Sequence, residues 1–172
     1  MLKKNRVLAL VLALVLTLAL AACGGPKNTP EELAAKYAEA LEQVKPSAMF
    51  ALISEQQKKA IVEDSDEDMD MDEELKLLDE MAQESLQELK DEYGNVKITC
   101  TVQGEGTLDA DEKAYIIEDF KDYYEITVED VALYTVDVSI VTGDEEEEDT
   151  LDCYLILIDG EWYLDLDDSD SF

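Results

Sequence analysis

The apolar residues of this chain change their spacing at Gly94. Before it they recur every three or four residues, and soon after it they alternate. Leu75, Leu78, Met81 or Ala82, Leu86, Leu89 and Tyr93 make one stripe of a long helix over Leu75 to Tyr93, and Gly94 stands where a helix C′ residue belongs. Val96, Ile98, Cys100 and Val102 then alternate with Lys97, Thr99, Thr101 and Gln103, the pattern of a half-buried strand. Helices first and antiparallel strands last predict an α+β fold: N-terminal helices packed on a curved antiparallel sheet.

The remaining segments fit that plan. Leu33, Tyr37, Leu41 and Val44 recur at helical spacing behind Thr29-Pro30-Glu31-Glu32, which reads as a capping box with proline in the first turn. Lys45-Pro46-Ser47 ends that helix. Ser47 is expected to cap a second one carrying Met49, Phe50, Ile53, Ile61 and Val62. Residues 63–74, EDSDEDMDMDEE, have no period and read as an acidic insertion. Asp109 or Asp111 opens a helix to about Tyr124. Val131 to Thr142 is a strand with Ala132, Tyr134, Val136, Val138 and Ile140 on one face. Gly143 to Asp149 reads as an acidic loop, and Thr150 to Ile158 as a strand. Asp159-Gly160 suits a type I′ turn, because both residues tolerate positive φ. Glu161 to Asp167 then returns with Trp162, Leu164 and Leu166 inward, leaving 168–172 as a frayed end.

The N-terminus reads as an address. Lys3, Lys4 and Arg6 precede an apolar run of 14 residues, Val7 to Leu20, broken only by Thr17. As a helix that run reaches about 21 Å, short of the roughly 30 Å hydrocarbon core. A cleaved signal peptide over residues 1–22 is therefore the expectation, not a permanent span. Leu20-Ala21-Ala22-Cys23 resembles the bacterial lipobox. The resemblance implies cleavage before Cys23, diacylglycerol on its sulfur and palmitate-type acylation, hence a lipoprotein on the extracytoplasmic face of the cell membrane. Two acyl chains anchor stably, since each buried methylene contributes about 0.8 kcal/mol. Residues 23–29 form the lipidated cysteine and tether, and the domain is expected over 30–167.

Charge excludes many functions. Removal of Lys3, Lys4 and Arg6 leaves 10 of the 13 bases against all 44 acids, a net charge of −34, with no arginine and no histidine. Histidine-dependent triads and zinc sites are excluded, as are arginine clamps for phosphate. Nucleic acid needs a basic footprint and is not an expected partner. Anionic headgroups should repel the domain, so the lipid must hold it. A cationic or protein partner fits the charge. No cofactor is implied, and nothing in the sequence fixes an oligomeric state.

A second resemblance rests on TPEELAAKYAEAL at 29–41, VALYTVDVSIVTG at 131–143 and LDCYLILIDGEWYLDLD at 151–167. These are similar to the NTF2-like (cystatin-like) domains of bacterial surface lipoproteins, whose last hairpin commonly turns through Asp-Gly before a tryptophan. Glu161 stands where a lysine is more usual. The insertion at 63–74 and the helix at 109–124 depart from the pattern. The resemblance implies a cone with a pocket between helices and sheet. It implies no shared activity, because one fold hosts many.

Several candidate sites follow. Cys100 and Cys153 are an even pair in an exported chain, open to a disulfide or to simple burial. Asp64, Asp66, Asp68, Asp70 and Asp72 alternate as oxygen ligands for a hard cation could, yet an EF-hand from Asp66 would hold Met71 and Leu77 at its glycine and glutamate positions, so no metal is assigned. Asp137, mid-strand, is the best candidate for a general acid, with an exposed sheet face as the bland alternative. Tyr115, Tyr123, Tyr124, Tyr134, Tyr154 and Tyr163 could line a ligand pocket or sit in the core. No catalytic residue is assigned. The expected function is a non-enzymatic binding or interaction module; a calcium-binding surface protein comes second, and a hydrolase or isomerase in the cone third.

Overall fold

Thr29 starts the first helix as its sequence demands. In the computed structural model, which describes residues 28–64 and 70–166, its hydroxyl accepts from Glu32 N–H and the Glu32 carboxylate accepts from Thr29 N–H, both at 3.1 Å. Helix α1 is Pro30–Glu42. Leu33, Tyr37 and Leu41 are buried along one side, each worth roughly 1.5–3 kcal/mol on leaving water.

The second helix differs from expectation. It is two helices, α2 (Pro46–Phe50) and α3 (Glu55–Asp64). Ser47 caps neither. Its N–H and hydroxyl both donate to Asp79, at 2.9 and 2.6 Å. The break lies at Ser54, which forms a buried capping box with Gln57: Ser54 N–H donates to Gln57 Oε1, and Gln57 N–H to the Ser54 hydroxyl. The Ser-x-x-Gln signature stands in the sequence at Ser54 and Gln57, inside the span that the apolar spacing reads as one helix.

Helix α4 is Met71–Tyr93 and starts before Leu75, because Asp70 caps it by accepting from Asp72 and Glu73 N–H. It ends at Gly94, with φ +83°. Strand β1 is Val96–Glu105, α5 is Ala110–Tyr123, β2 is Asp130–Thr142, β3 is Glu145–Ile158 and β4 is Glu161–Leu164. Asp109, not Asp111, caps α5, in a second capping box with Glu112. The strands form an antiparallel meander in the order β1-β2-β3-β4.

The acidic run after Gly143 is not a loop. Glu145 to Asp149 pair with Thr142 back to Val138, so the run is one arm of a hairpin. Neighbouring backbone, not side-chain pattern, makes it a strand. Asp159 (φ +50°) and Gly160 (φ +71°) form the tight turn that their sequence predicts. Strand β4 is shorter than the expected return to Asp167, which itself lies outside the described residues; Asp165 is buried and Leu166 half-buried.

The sheet curls, with a register shift between Val102 and Gly104 that bends β1. Its inner face carries Ala132, Tyr134, Val136, Val138, Cys153, Leu155, Trp162 and Leu164 against α1 and Ile53. This is the expected α+β cone of helices on a curved sheet. A second core lies on the opposite face, where Ile116 and Phe120 of α5 meet Val131, Ile156 and Ile158. Period-two alternation places consecutive residues such as Val131 and Ala132 in different cores.

Candidate functional site

Tyr37, Leu41, Val136 and Leu155 fill the space between α1 and the sheet, and all are buried. The concavity expected there is core among the described residues. Two of the open cavities lie beside α4; two others lie on the outer sheet face by Asp137 and beside α5 between Tyr115 and Tyr154.

Polar side chains hold α4 in place. Asp79 accepts the two bonds from Ser47. Gln83 Nε2 donates to the carbonyl oxygens of Gln43 and Val44, at 2.9 and 3.0 Å. Those carbonyls belong to the end of α1, where no intrahelical donor remains. Val44 turns the chain there with φ +50°. Lys45 N–H reaches Ala40 O at 3.1 Å and Val44 N–H reaches Leu41 O at 2.9 Å. This is a Schellman ending with valine in the position that glycine normally fills.

An apolar groove of about 370 Å³ opens between these pins and α4. Leu41, Val44, Met49, Leu75, Leu78, Ala82 and Leu166 line it, with Lys45 at its edge. A wider cleft of about 870 Å³ lies between α3 and α4. It is mixed in character, lined by Phe50, Val62 and Leu75 together with Lys58, Lys59, Lys76, Glu55 and Asp79. Lys58 bonds Glu55 at 2.6 Å and stands 6.0 Å from the Phe50 ring centre.

The apolar stripe read from the sequence is real, but it is only partly covered. Helix α4 has no buried residue along its 23 positions. Leu78 is 40% exposed, Met81 54%, Leu89 43% and Tyr93 48%. Helical spacing marks an amphipathic face; it does not say whether the face is occupied.

The other candidates are dispersed. The six tyrosines do not line one pocket: Tyr134 is in the inner core, Tyr154 and Tyr163 border the outer core, Tyr124 lies against Phe120, and Tyr115 and Tyr123 are exposed. Asp137 sits on the uncovered part of the outer sheet face, where its carboxylate accepts from the Thr150 hydroxyl at 2.8 Å. That is the bland alternative raised for it.

Cys100 and Cys153 are both free thiols, Cys153 buried and Cys100 half-buried, in line with the burial alternative. Cys100 on β1 faces Val138, and Cys153 on β3 faces Tyr134, so β2 lies between them. Two strand spacings are about 9.6 Å, beyond the roughly 7 Å a disulfide can bridge. Burial pushes the Cys153 thiol up to about 12 and the Cys100 thiol up to about 11, with Asp152 and Glu42 adding to the two effects respectively.

Of the alternating aspartates, Asp70 is spent as a helix cap and Asp72 is exposed in the first turn of α4. Asp66 and Asp68, the side chain of Asp64, and Cys23 with its signal segment lie outside the described residues. Among the described residues no cluster of three or more metal-binding side chains occurs, and no helix is long and apolar enough to cross a membrane. Comparison with protein-family models, with curated proteins and with solved structures finds no match to this chain.

Proposed function

We propose that this chain is a lipid-anchored, extracytoplasmic binding module without enzymatic activity, whose docking site is the apolar groove between the end of α1, α2 and α4. The carrying observation is that α4 is pinned by Asp79 and Gln83 while its apolar stripe stays partly open to solvent. Burying such a stripe is ordinarily what stabilises an amphipathic helix. Leaving it half-bare costs stability and provides a surface for something else.

The address supports the same reading. Lys3, Lys4, Arg6 and the apolar run ahead of Leu20-Ala21-Ala22-Cys23 favour lipid on Cys23. Asn28 is fastened to Trp162 by two hydrogen bonds. The five steps from Cys23 to Asn28 span at most about 18 Å, so lipid on Cys23 holds the β4 edge close to the bilayer. The groove lies at the other end of α1 from the tether, about 20 Å along the helix axis. The helices-on-curled-sheet layout supports an NTF2-like origin.

Two measurements test this reading. Radiolabelled palmitate fed to expressing cells should enter the chain, and Cys23→Ser should abolish that. Nile red, an uncharged apolar dye, should brighten and shift blue on the protein, and Leu78→Asp with Ala82→Asp should remove the response. Unlabelled wild-type chain would defeat the anchor; a dye response unchanged by the double variant would defeat the groove.

A further inference from the structure

We infer that the occupant of this face is a short cationic amphipathic helix. The inference rests on the groove reading and adds its partner chemistry.

The bare row has the form of a helix seat. Leu78, Leu89 and Tyr93, with Ala82 and Leu86 half-buried between them, follow helical steps along α4. The row covers the 16 residues from Leu78 to Tyr93, hence about 23 Å, the length of a helix of the same size. An apolar row at this spacing receives a second helix by interdigitation of side chains.

Charge then selects the occupant. Glu74, Glu88 and Glu92 are exposed on α4 along one side of that row by helical spacing. Glu145, on the neighbouring hairpin, lies near enough to raise the Tyr93 phenol, although the adjacent Glu92 is the larger cause. Against these carboxylates stand Lys45 at the groove edge and Lys76 and Lys90 on α4, and Lys76 is already paired with Glu80 at 3.7 Å. A second copy of this chain would bring the same carboxylates against them, and like charges brought together across an interface are unfavourable. An acidic or neutral helix would leave the fringe uncompensated. A helix with leucines on one side and lysines on the other satisfies both the row and the fringe.

The test uses the full chain in phosphatidylcholine nanodiscs, with empty nanodiscs as the blank. The probe is a fluorescein-labelled 18-residue peptide of leucine and lysine patterned as an amphipathic helix. Fluorescence anisotropy should report binding that weakens at least about tenfold as NaCl rises from about 50 to 500 mM, because that change shortens the screening length several-fold. Leu78→Asp with Leu89→Asp should weaken it by a similar factor while circular dichroism shows the same helix content. Equal binding of a scrambled peptide of identical composition would overturn the proposal, since charge alone would then suffice. Equal binding of the leucine/glutamate counterpart would overturn the cationic requirement and leave the groove reading standing. No peptide binding, with Nile red still responding at the groove, would reject the helix alone; loss of both responses would reject the groove as well. A stable dimer in sedimentation velocity, broken by the same two substitutions, would assign the face to self-association and overturn the proposal.

Discussion

The side chain of Asn28 substitutes for a missing strand next to Trp162. Its Nδ2 donates to Trp162 O at 2.9 Å, and its Oδ1 accepts from Trp162 N–H at 2.8 Å. One residue pair along, Leu164 N–H donates to Leu52 O, and Gln57 Nε2 donates to Leu164 O. The outer edge of β4 is thereby satisfied by loops and side chains, which closes it to edge pairing with another chain.

Replacing Asn28 should therefore expose a strand edge. Asn28→Ala is expected to cost about 1–3 kcal/mol, because it leaves a part-buried N–H and C=O without their partners. Asn28→Asp keeps the acceptor but sets a carboxylate against the Trp162 carbonyl, and should recover only part of that loss. Urea unfolding followed by tryptophan emission reads the change directly, since Trp162 is the single tryptophan. A midpoint unchanged in Asn28→Ala would show that this clasp contributes nothing.

What the sequence revealed here depended on range. The Thr29–Glu32 capping box, the Gly94 stop and the Asp159-Gly160 turn are set by residues within a few positions of one another, and all three were legible. Glu145 to Asp149 was not. Five consecutive acids carry no apolar period, and only their pairing with β2 makes them a strand. The groove was half legible. The stripe on α4 was visible, but the bonds that place it, Asp79 to Ser47 and Gln83 to Val44, join residues 32 and 39 positions apart and leave no local signature.

Asp70 stands in a row of alternating aspartates, and the structure gives it the task of a helix cap. If it acts as the cap of α4, Asp70→Asn should change stability by only a few tenths of a kcal/mol, and Asp70→Ala should cost about 1 kcal/mol. Thermal unfolding of the three proteins separates the roles. Equal losses in both variants, restored to neither by an amide, would point to a demand for negative charge at residue 70 and away from capping.

Cys153 should make the fold sensitive to alkali. Its thiol is held up to about 12 by burial, while the ordinary value is 9.0. Above pH 9 the unfolded chain loses this proton and the folded chain keeps it, so the folded state binds more protons and stability falls as pH rises. The contribution is complete below pH 9 and declines by about 1.4 kcal/mol per unit between 9 and about 12. Cys153→Ala should flatten this part of the pH profile, at the cost of a small cavity at neutral pH. A profile equally steep in the variant would place the alkaline loss elsewhere, with Tyr134 next in line, since burial also raises its phenol.

Val44 gives the sharpest test of the groove's construction. In ordinary helical or extended backbone, alanine is the more stabilising residue and glycine loses about 0.5–1 kcal/mol by comparison. At φ +50° the order should invert. A side chain in the left-handed region costs roughly 1–2 kcal/mol, and glycine escapes that cost. Val44→Ala and Val44→Gly both delete the half-buried isopropyl group, so packing losses cancel between them. Val44→Gly should therefore be the more stable of the two by about 1 kcal/mol, from the difference between these opposing terms. Denaturant midpoints of the pair measure it. Alanine above glycine would mean that α1 does not end in this turn, and that the carbonyl of residue 44 is not where Gln83 meets it. The order predicted here would show that the chain holds a strained valine at the wall of the groove, where backbone strain commonly accompanies function.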